Sequence, residues 1–441
     1  MTGSALLFNF CSWLVLVIST ASTLALSISS SNNGNRVKRI SIVTGANGYV
    51  GREVVNVLLN TNNDANKNDG NDEEDVDEIL CLVRSHRVES ETKYWSRFKS
   101  SLLASTTGTS KTPTIKVLPY DMLDGGKSIT DALNAAVNND NDSDSSSTEN
   151  NNDIDPEICV YHIASVFGPS EDHIKVAKEN VQGTKDLVCA IGEFPKSACC
   201  RLVVTSSMAA VRGSGQIPMN NEYYTHQDWN TQSTLEDNNW GASYQWSKAE
   251  SERIAWKISN DMKIKMTSIC PSFVFGPPTS IPSSTTKTDS NEVDTTTNLS
   301  NSFSITLFGQ WVRGTSPIQS RLFVDVRDVA KAHVAAGTKS DAIGERIIVS
   351  TEARIPSKEM ADILKDVCTE SGLSDPEGIS FDSTFKGGAI PIGNQEAEST
   401  DRLFSLLGIT LTPVHETIRD MGRALLLVEG GNNSKESAAK K

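Results

Sequence analysis

Read for the spacing of its apolar positions, the chain alternates short β-branched runs with longer stretches of helical periodicity. Residues 38–43 (KRISIV) are followed at once by TGANGYVG and then EVVNVLL, an order that predicts strand, glycine turn and helix. Further strands are expected at 79–83, 115–118, 158–163, 201–205 and 265–269, with helices at 175–191 and 244–259. Strands and helices in this alternation predict an α/β fold built on a doubly wound parallel sheet. Beyond residue 300, the runs at 305–313, 323–336 and 357–367 predict a smaller C-terminal α/β lobe.

The glycine turn carries the first chemistry. Gly45 permits a tight turn, Gly48 lets backbone approach a pyrophosphate, and Gly51 allows close contact of helix and strand. The motif alone is weak, but its place between a strand and a helix is the context that confirms it. It predicts a Rossmann-type dinucleotide site, with Asn47, Tyr49 and Val50 at the start of the helix completing the cradle.

Composition changes this picture in one respect. Apolar residues make up 37% of the 441, below the about 45–50% usual in globular domains, so part of the chain lies outside any core. The formal charge of −14 locates that part: residues 61–78 hold eight acids and one lysine, and residues 138–157 hold seven acids and no base. These two segments account for the whole imbalance, and no Lys/Arg stripe remains to neutralise phosphates, which argues against nucleic acid as a partner. A third polar segment, 279–300, is rich in Ser and Thr. The division expected is therefore a leader and linker at 1–36 and an NAD(P)-binding domain at 37–278 with acidic insertions at 61–78 and 138–157. A flexible insertion at 279–300, a substrate lobe with returning sheet elements at 301–429 and a disordered tail at 430–441 complete it. No Cys pair has a CxxC or zinc spacing, so neither a metal site nor a disulfide scaffold is expected.

Residues 5–26 are largely apolar, with Arg36, Lys38 and Arg39 just after them. A cleaved signal peptide and a signal anchor both fit. The expectation is entry into the secretory pathway, or an endoplasmic reticulum membrane anchor with a cytosol-facing domain; a plastid route is the third reading.

The second constellation is Tyr244-Gln245-Trp246-Ser247-Lys248. Four residues apart on a helix, the phenol and the ammonium share one face, and a nearby cation is expected to lower the phenol's pKa toward working pH. Ser206 and Ser207 stand just after the fifth strand, where open parallel sheets present reacting groups. With these residues the chain resembles an extended short-chain dehydrogenase/reductase of the NAD-dependent epimerase/dehydratase family, in the branch of dihydroflavonol and cinnamoyl-CoA reductases. The resemblance spans about residues 39–426. It rests on TGANGYVG, VYHIAS (160–165), VVTSS (203–207), YQWSKAESERIAW (244–256), PSFVFGP (271–277) and FVDVRDVAKAH (323–333), found in that order.

The resemblance implies a triad of Ser207, Tyr244 and Lys248. Ser207 would hydrogen-bond the substrate carbonyl, Tyr244 would deliver the proton, and Lys248 would hold the nicotinamide ribose and tune Tyr244. It implies adenine contacts at Asp121 and Met122, and contacts near the ribose and nicotinamide at Ala164, Pro271 and Ser272. His162 reads as a packed strand residue, and Asp325 and Asp328 as helix-capping or orienting groups. The activity implied is hydride transfer from NADPH to a small-molecule carbonyl: an aldehyde, a ketone or a dihydroflavonol-like substrate. The alternatives are a nucleotide-sugar epimerase with retained NAD and a non-catalytic NAD(P)-binding protein. Met208 and Ala209 replace the acidic pair that sugar dehydratases of the family carry after the Ser/Thr position, and Pro271-Ser272 stands where sugar-nucleotide enzymes carry an aromatic-Asn pair. For the cofactor, the second strand runs into Arg84 rather than a carboxylate, which predicts NADPH over NADH. A monomer or homodimer is expected.

Overall fold

Strand β1 (Arg39–Thr44) lies inside the sheet because its side chains alternate between two buried faces: Ile40 and Ile42 on one, Ser41 and Val43 on the other. β2 (Glu78–Val83) divides in the same way, with Leu80 and Leu82 opposite Ile79, Cys81 and Val83. Strands apolar on both faces belong to a parallel sheet covered by helices on each side. The computed structural model of the chain describes residues 37–61, 75–105, 112–138, 155–279, 302–372, 376–385 and 388–439.

The sheet has seven strands. β3 (Thr114–Pro119) lies outside β2, while β4 (Glu157–His162), β5 (Cys200–Thr205), β6 (Lys265–Pro271) and β9 (Arg346–Val349) continue on the other side of β1. The order is β3-β2-β1-β4-β5-β6-β9 with every neighbour parallel. A separate parallel pair joins β7 (Phe273–Phe275) to β8 (Phe323–Asp325). Strand order reverses between β1 and β4, and open sheets of this kind bind ligands at the carboxyl ends of the strands at that crevice.

One helical layer contains α1 (Tyr49–Asn60), α2 (Val88–Ser105), α8 (Val326–Thr338) and α10 (Thr400–Leu407). The opposite layer contains α3 (Lys127–Asn138), α4 (His173–Glu193) and α6 (Trp240–Met262). A third apolar cluster joins the β7–β8 pair to α7 (Phe303–Val312), α9 (Ser357–Ser371) and α11 (Val414–Ala439). The described residues from Val37 onward form one compact unit.

The predicted strands and helices recur here with shifts of a few residues at their ends. Four differences have physical reasons. Helix α8, read from sequence as part of the smaller lobe, places Val329, Ala330 and Ala332 against the main sheet in the cluster that also holds α1. The ends of the two acidic segments are structural: Val76 is buried, Glu78 opens β2 with ion pairs to Lys38 (3.3 Å) and Lys116 (2.8 Å), and Glu157 opens β4 with Arg39 at 2.8 Å. The remainder of those segments and most of 279–300 lie outside the described residues. The expected disordered tail is instead helical to Ala439, since α11 is anchored by Ile418, Met421 and Leu426 and nothing after Gly431 breaks a helix once nucleated.

The fourth difference is a correction of placement. No helix among the described residues is long and apolar enough to cross a membrane; the longer helices, such as α6, carry charges along their length. The expected signal-peptide, membrane-associated and plastid readings are withdrawn on that finding. The apolar run 5–26 that prompted them lies outside the described residues. The seven described cysteines are free.

One buried ion pair ties α1 to α2. Arg52 donates to both oxygens of Glu91 at 2.8 and 2.9 Å with each side chain 1% exposed, and its guanidinium lies 3.9 Å from the Tyr94 ring centroid. Burial pushes the Glu91 carboxyl upward and Arg52 opposes it. Removing one partner of such a pair strands a buried charge, at a cost of about 3–5 kcal/mol. Glu91→Ala is therefore expected to lose about that much in urea unfolding; a loss below about 1 kcal/mol would contradict this account of the α1–α2 contact.

Candidate active site

The glycine turn adopts the shape its sequence requires. Gly45 sits at φ +65°, where a side chain is strained, and a Cβ on it would meet Ala164 of the β4 end at 3.1 Å. A Cβ on Gly51 would lie 2.1 Å from the Gly45 carbonyl oxygen, so α1 can approach the turn only with glycine there. Thr44 pins the same junction, its hydroxyl accepting from the backbone N–H groups of Ile163 and Ala164, both at 3.1 Å. Gly48 is the N-cap of α1 and supplies no side-chain cap, and the first turn holds no acid. The opening N–H groups of this helix thus keep their affinity for an anion.

Ser207 stands where β5 gives way to the short helix α5 (Met208–Val211). It is the N-cap of that helix, its Oγ accepting from Ala209 N–H at 3.1 Å. Tyr244 and Lys248 lie one turn apart on α6, whose own N-cap, Asn239, accepts from Ala242 N–H at 2.9 Å. The Ser207 side chain is near enough to the Tyr244 phenol to favour its ionised form against burial. Lys248 Nζ donates to Ser165 Oγ at 3.2 Å and to the Thr205 carbonyl at 3.1 Å. Four strand ends therefore converge: the turns after β1 and β4, the end of β5, and Pro271-Ser272 at the end of β6.

The electrostatics differ from the sequence reading. Burial pushes the Tyr244 phenol up to about 12, with the Ser207 hydroxyl opposing it, so the expected lowering by Lys248 is not what dominates here. Lys248 turns its ammonium to Ser165 and Thr205, and burial brings it down to about 8. At neutral pH the pair is a protonated phenol beside a charged ammonium.

The remaining predicted residues divide. Ala164 and Ser272 reach the convergence point, and the Ser272 Oγ is buried without a hydrogen-bond partner. Pro271 is buried within β6. Arg84 is exposed directly after β2. Asp121 is exposed after β3 and accepts from Leu123 N–H at 2.9 Å. Met122 is wedged against α4, where a Cβ on Gly183 would lie 2.1 Å from its Cγ. Asn47 and Val50 lie in the turn and first turn of α1, half-buried. Tyr49 departs most: its side chain joins the third apolar cluster and its phenol donates to the Gly276 carbonyl at 2.6 Å, leaving only backbone to face the turn. His162 is a packed residue between Thr44 and Thr184 (3.1 and 3.2 Å), with burial bringing its imidazole down to about 3. Asp325 caps α8, and Asp328 accepts from Thr412.

Two features escaped the sequence reading. An aromatic wall adjoins Tyr244: Phe167 lies 4.6 Å from its ring, Phe303 lies 5.2 Å from Phe167 and 5.3 Å from Trp240, and Phe273 closes the group. Scattered over four segments, these residues have no local signature. Behind the triad, Glu252 on α6 accepts from Ser206 Oγ (2.7 Å), Ser268 Oγ (2.6 Å) and Arg346 Nε (2.8 Å). Its spacing of four from Lys248 and eight from Tyr244 was the available signal.

The cradle fits a dinucleotide phosphate: glycines leave no room for side chains, and the α1 N-terminus has no side-chain cap. No group of His, Cys, Asp or Glu among the described residues is arranged to hold a metal ion.

With this geometry in place, the chain's relatives can be named. The NAD dependent epimerase/dehydratase family matches residues 135–350, and the chain belongs to that family. It is similar to the NADPH-dependent methylglyoxal reductase GRE2 of Saccharomyces cerevisiae, 28% identical over 266 residues covering 57% of this chain and 70% of that protein. It is also similar to the cinnamoyl-CoA reductase CAD2 of Medicago truncatula, 26% identical over 270 residues covering 60% and 72%. In three dimensions it resembles the yeast methylglyoxal/isovaleraldehyde reductase structure with NADPH, at a TM-score of 0.62 and 22% identity over 89% of this chain and 99% of that one. That last likeness speaks for the fold.

The buried ammonium yields a prediction. Below about pH 8 the folded chain holds Lys248 charged against its burial, whereas an unfolded lysine keeps its proton to about 10.4. Unfolding thus takes up a proton between those values, and stability rises with pH through that window. Lys248→Met should be more stable than wild type at pH 7, by on the order of 3 kcal/mol at most, with the gap narrowing from pH 8 to 10. A variant less stable at pH 7 would contradict this reading of the site.

Proposed function

We propose that the protein uses NADPH to reduce an aldehyde or ketone whose body is apolar, with Tyr244 as the proton donor. The chain is an NAD(P)H-dependent oxidoreductase by its family and relatives; the proposal adds the substrate class and the roles of individual residues. The observation that carries it is the meeting of Ser207, Tyr244 and Lys248 at the strand ends beside an aromatic wall.

NADPH, when bound, supplies the hydride. The turn at Gly45, Gly48 and Gly51 would hold its pyrophosphate. Arg84, exposed at the end of β2, would take the 2′-phosphate, and Ser272 and Ala164 would lie by the nicotinamide end. The NADPH named for the GRE2 relative supports the same choice. Asp121 and Met122 are proposed for the adenine side.

The chain's own groups suit reduction. With its phenol pushed up to about 12, Tyr244 is protonated at neutral pH and can release that proton to a carbonyl oxygen as negative charge develops there. Ser207 Oγ accepts from Ala209 N–H, which leaves its own hydrogen free to donate to Tyr244 or to the same oxygen. Lys248 uses two of its three N–H donors on Ser165 and Thr205, so one remains for a ribose hydroxyl. The aromatic wall excludes water from the reacting carbonyl and gives the substrate an apolar surface to cover.

Two measurements test this. Tyr244→Phe removes only the hydroxyl, so kcat with a carbonyl substrate should fall by about 10²–10⁴ while NADPH affinity stays within a few-fold; near-wild-type turnover would overturn the proton-donor role. For the cofactor, a charge-assisted contact from Arg84 is worth roughly 10- to 150-fold in affinity. Wild type should bind NADPH over NADH by such a factor and Arg84→Asp should erase or reverse it; equal dissociation constants in wild type would remove Arg84 from the account.

A further inference from the structure

The aromatic wall ends on an unusual cation. Arg321, just before β8, lays its guanidinium 4.8 Å from the Phe273 ring centroid. Phe273 lies 6.4 Å from Phe167, which in turn contacts Tyr244. Arg321 is thus two rings away from the proposed proton donor, on the substrate side.

Its hydrogen-bonding is incomplete. Nη2 donates to Gln319 Oε1 at 2.8 Å, a neutral acceptor, while Nε is buried with no partner. Among the described residues no carboxylate pairs with Arg321, and the charge that acts on it is another cation, Arg212. Arg212 follows α5 and is itself taken by Glu396 at 3.2 Å; that carboxylate, 1% exposed, is shared with Arg354. The neighbourhood therefore holds more guanidinium than carboxylate.

A half-buried cation whose Nε is buried without a partner is costly unless something completes it. Stacking on Phe273 offsets a little of that cost. Burial, and after it the repulsion of Arg212, bring Arg321 down to about 10. A cation stacked on the aromatic wall without a carboxylate partner is satisfied by an anionic ligand group. One guanidinium without a carboxylate, with its neighbour already paired, matches a singly charged group better than a phosphate dianion.

We infer that Arg321 is a substrate-binding residue, and that the preferred substrate is a carbonyl compound bearing a carboxylate. This rests on the proposed function only in taking Phe167, Phe273 and Tyr244 as the substrate side of the site. In that arrangement the wall covers the apolar body of the substrate, Tyr244 faces the carbonyl, and Arg321 holds the acid at the far side of Phe273.

The test uses the full chain and two ketones that differ only in charge, phenylglyoxylate and its neutral methyl ester. With NADPH, wild type should show kcat/KM for the acid at least about tenfold above that for the ester. In Arg321→Met, which keeps the aliphatic contact with Phe273, that ratio should fall toward one, chiefly through KM for the acid. Arg321→Lys, which keeps the charge without the planar fork, should lie between. Isothermal titration supplies a readout without turnover: phenylglyoxylate should bind Arg321→Met more weakly than wild type by roughly 10- to 150-fold. An acid-to-ester ratio near or below one in wild type, or one that survives in Arg321→Met, overturns the inference. If neither ketone consumes NADPH, the reductase reading fails; Arg321-dependent binding of the acid in that case still upholds the anion site, and its absence removes the site as well.

Discussion

The carboxylate of Glu252 is the contact on which the rest of the site depends. Tyr244, Lys248 and Glu252 are spaced four apart on α6, so fixing the last fixes the azimuth of the other two. Glu252 is buried beneath the sheet's carboxyl edge and accepts from the hydroxyls of Ser206 and Ser268, from Arg346 at 2.8 and 3.0 Å, and from Trp256 at 3.3 Å. Those donors come from Ser206 just after β5, Ser268 in the middle of β6, Arg346 at the start of β9 and Trp256 on α6 itself. Burial alone would raise this carboxyl; Arg346 and the two hydroxyls outweigh it and hold it below its usual range. An isolated buried carboxylate would cost several kcal/mol, so α6 has one seating in which every oxygen is satisfied. Arg346 carries the constraint onward, donating to the His226 carbonyl and stacking 3.8 Å from the Trp229 ring. The loop that leads into α6 is clamped by the same group that orients it.

Lys248 presents the opposite case on the same helix. It is buried with two neutral acceptors, and the nearest negative charge, Glu252, is already neutralised by Arg346. The fold supplies a fully satisfied network one turn below and an under-satisfied ammonium above it. Strain of this kind gathers at functional sites because the surrounding structure over-determines it. The stripe on α6 thus changes character along its length, from a fully paired carboxylate at Glu252 to an under-satisfied ammonium at Lys248 and a buried phenol at Tyr244.

Much of the fold was legible from residue pattern because the sheet is apolar on both faces and its strands are short β-branched runs. The glycine turn was legible for a similar reason, since Gly45 and Gly51 occupy positions where any side chain collides with backbone. Helix α2 was overlooked although Tyr94, Trp95, Phe98 and Leu102 recur at helical spacing; the charged residues between them masked the stripe. β9 is only four residues long, too short for periodicity to separate it from a loop. Tyr49 keeps its backbone at the start of α1 beside the glycine turn, while tertiary packing turns its ring into the third cluster, which spacing along the chain does not show. The effect of Lys248 on Tyr244 was misjudged because spacing along a helix says nothing about burial, which governs both groups. Arg321 and the aromatic wall belong to segments far apart in sequence, and only the fold makes them neighbours.

The account stands on hydride transfer to a carbonyl carbon, and isotope transfer tests that most directly. NADPH deuterated at the reactive nicotinamide carbon should be incubated with the full chain and an aromatic ketone, and the product examined by mass and proton NMR. The account predicts one deuterium on the new carbinol carbon of each alcohol formed, with one cofactor oxidised per product. Cofactor left reduced, no deuterium in any product, or label exchanged without net reduction would contradict it.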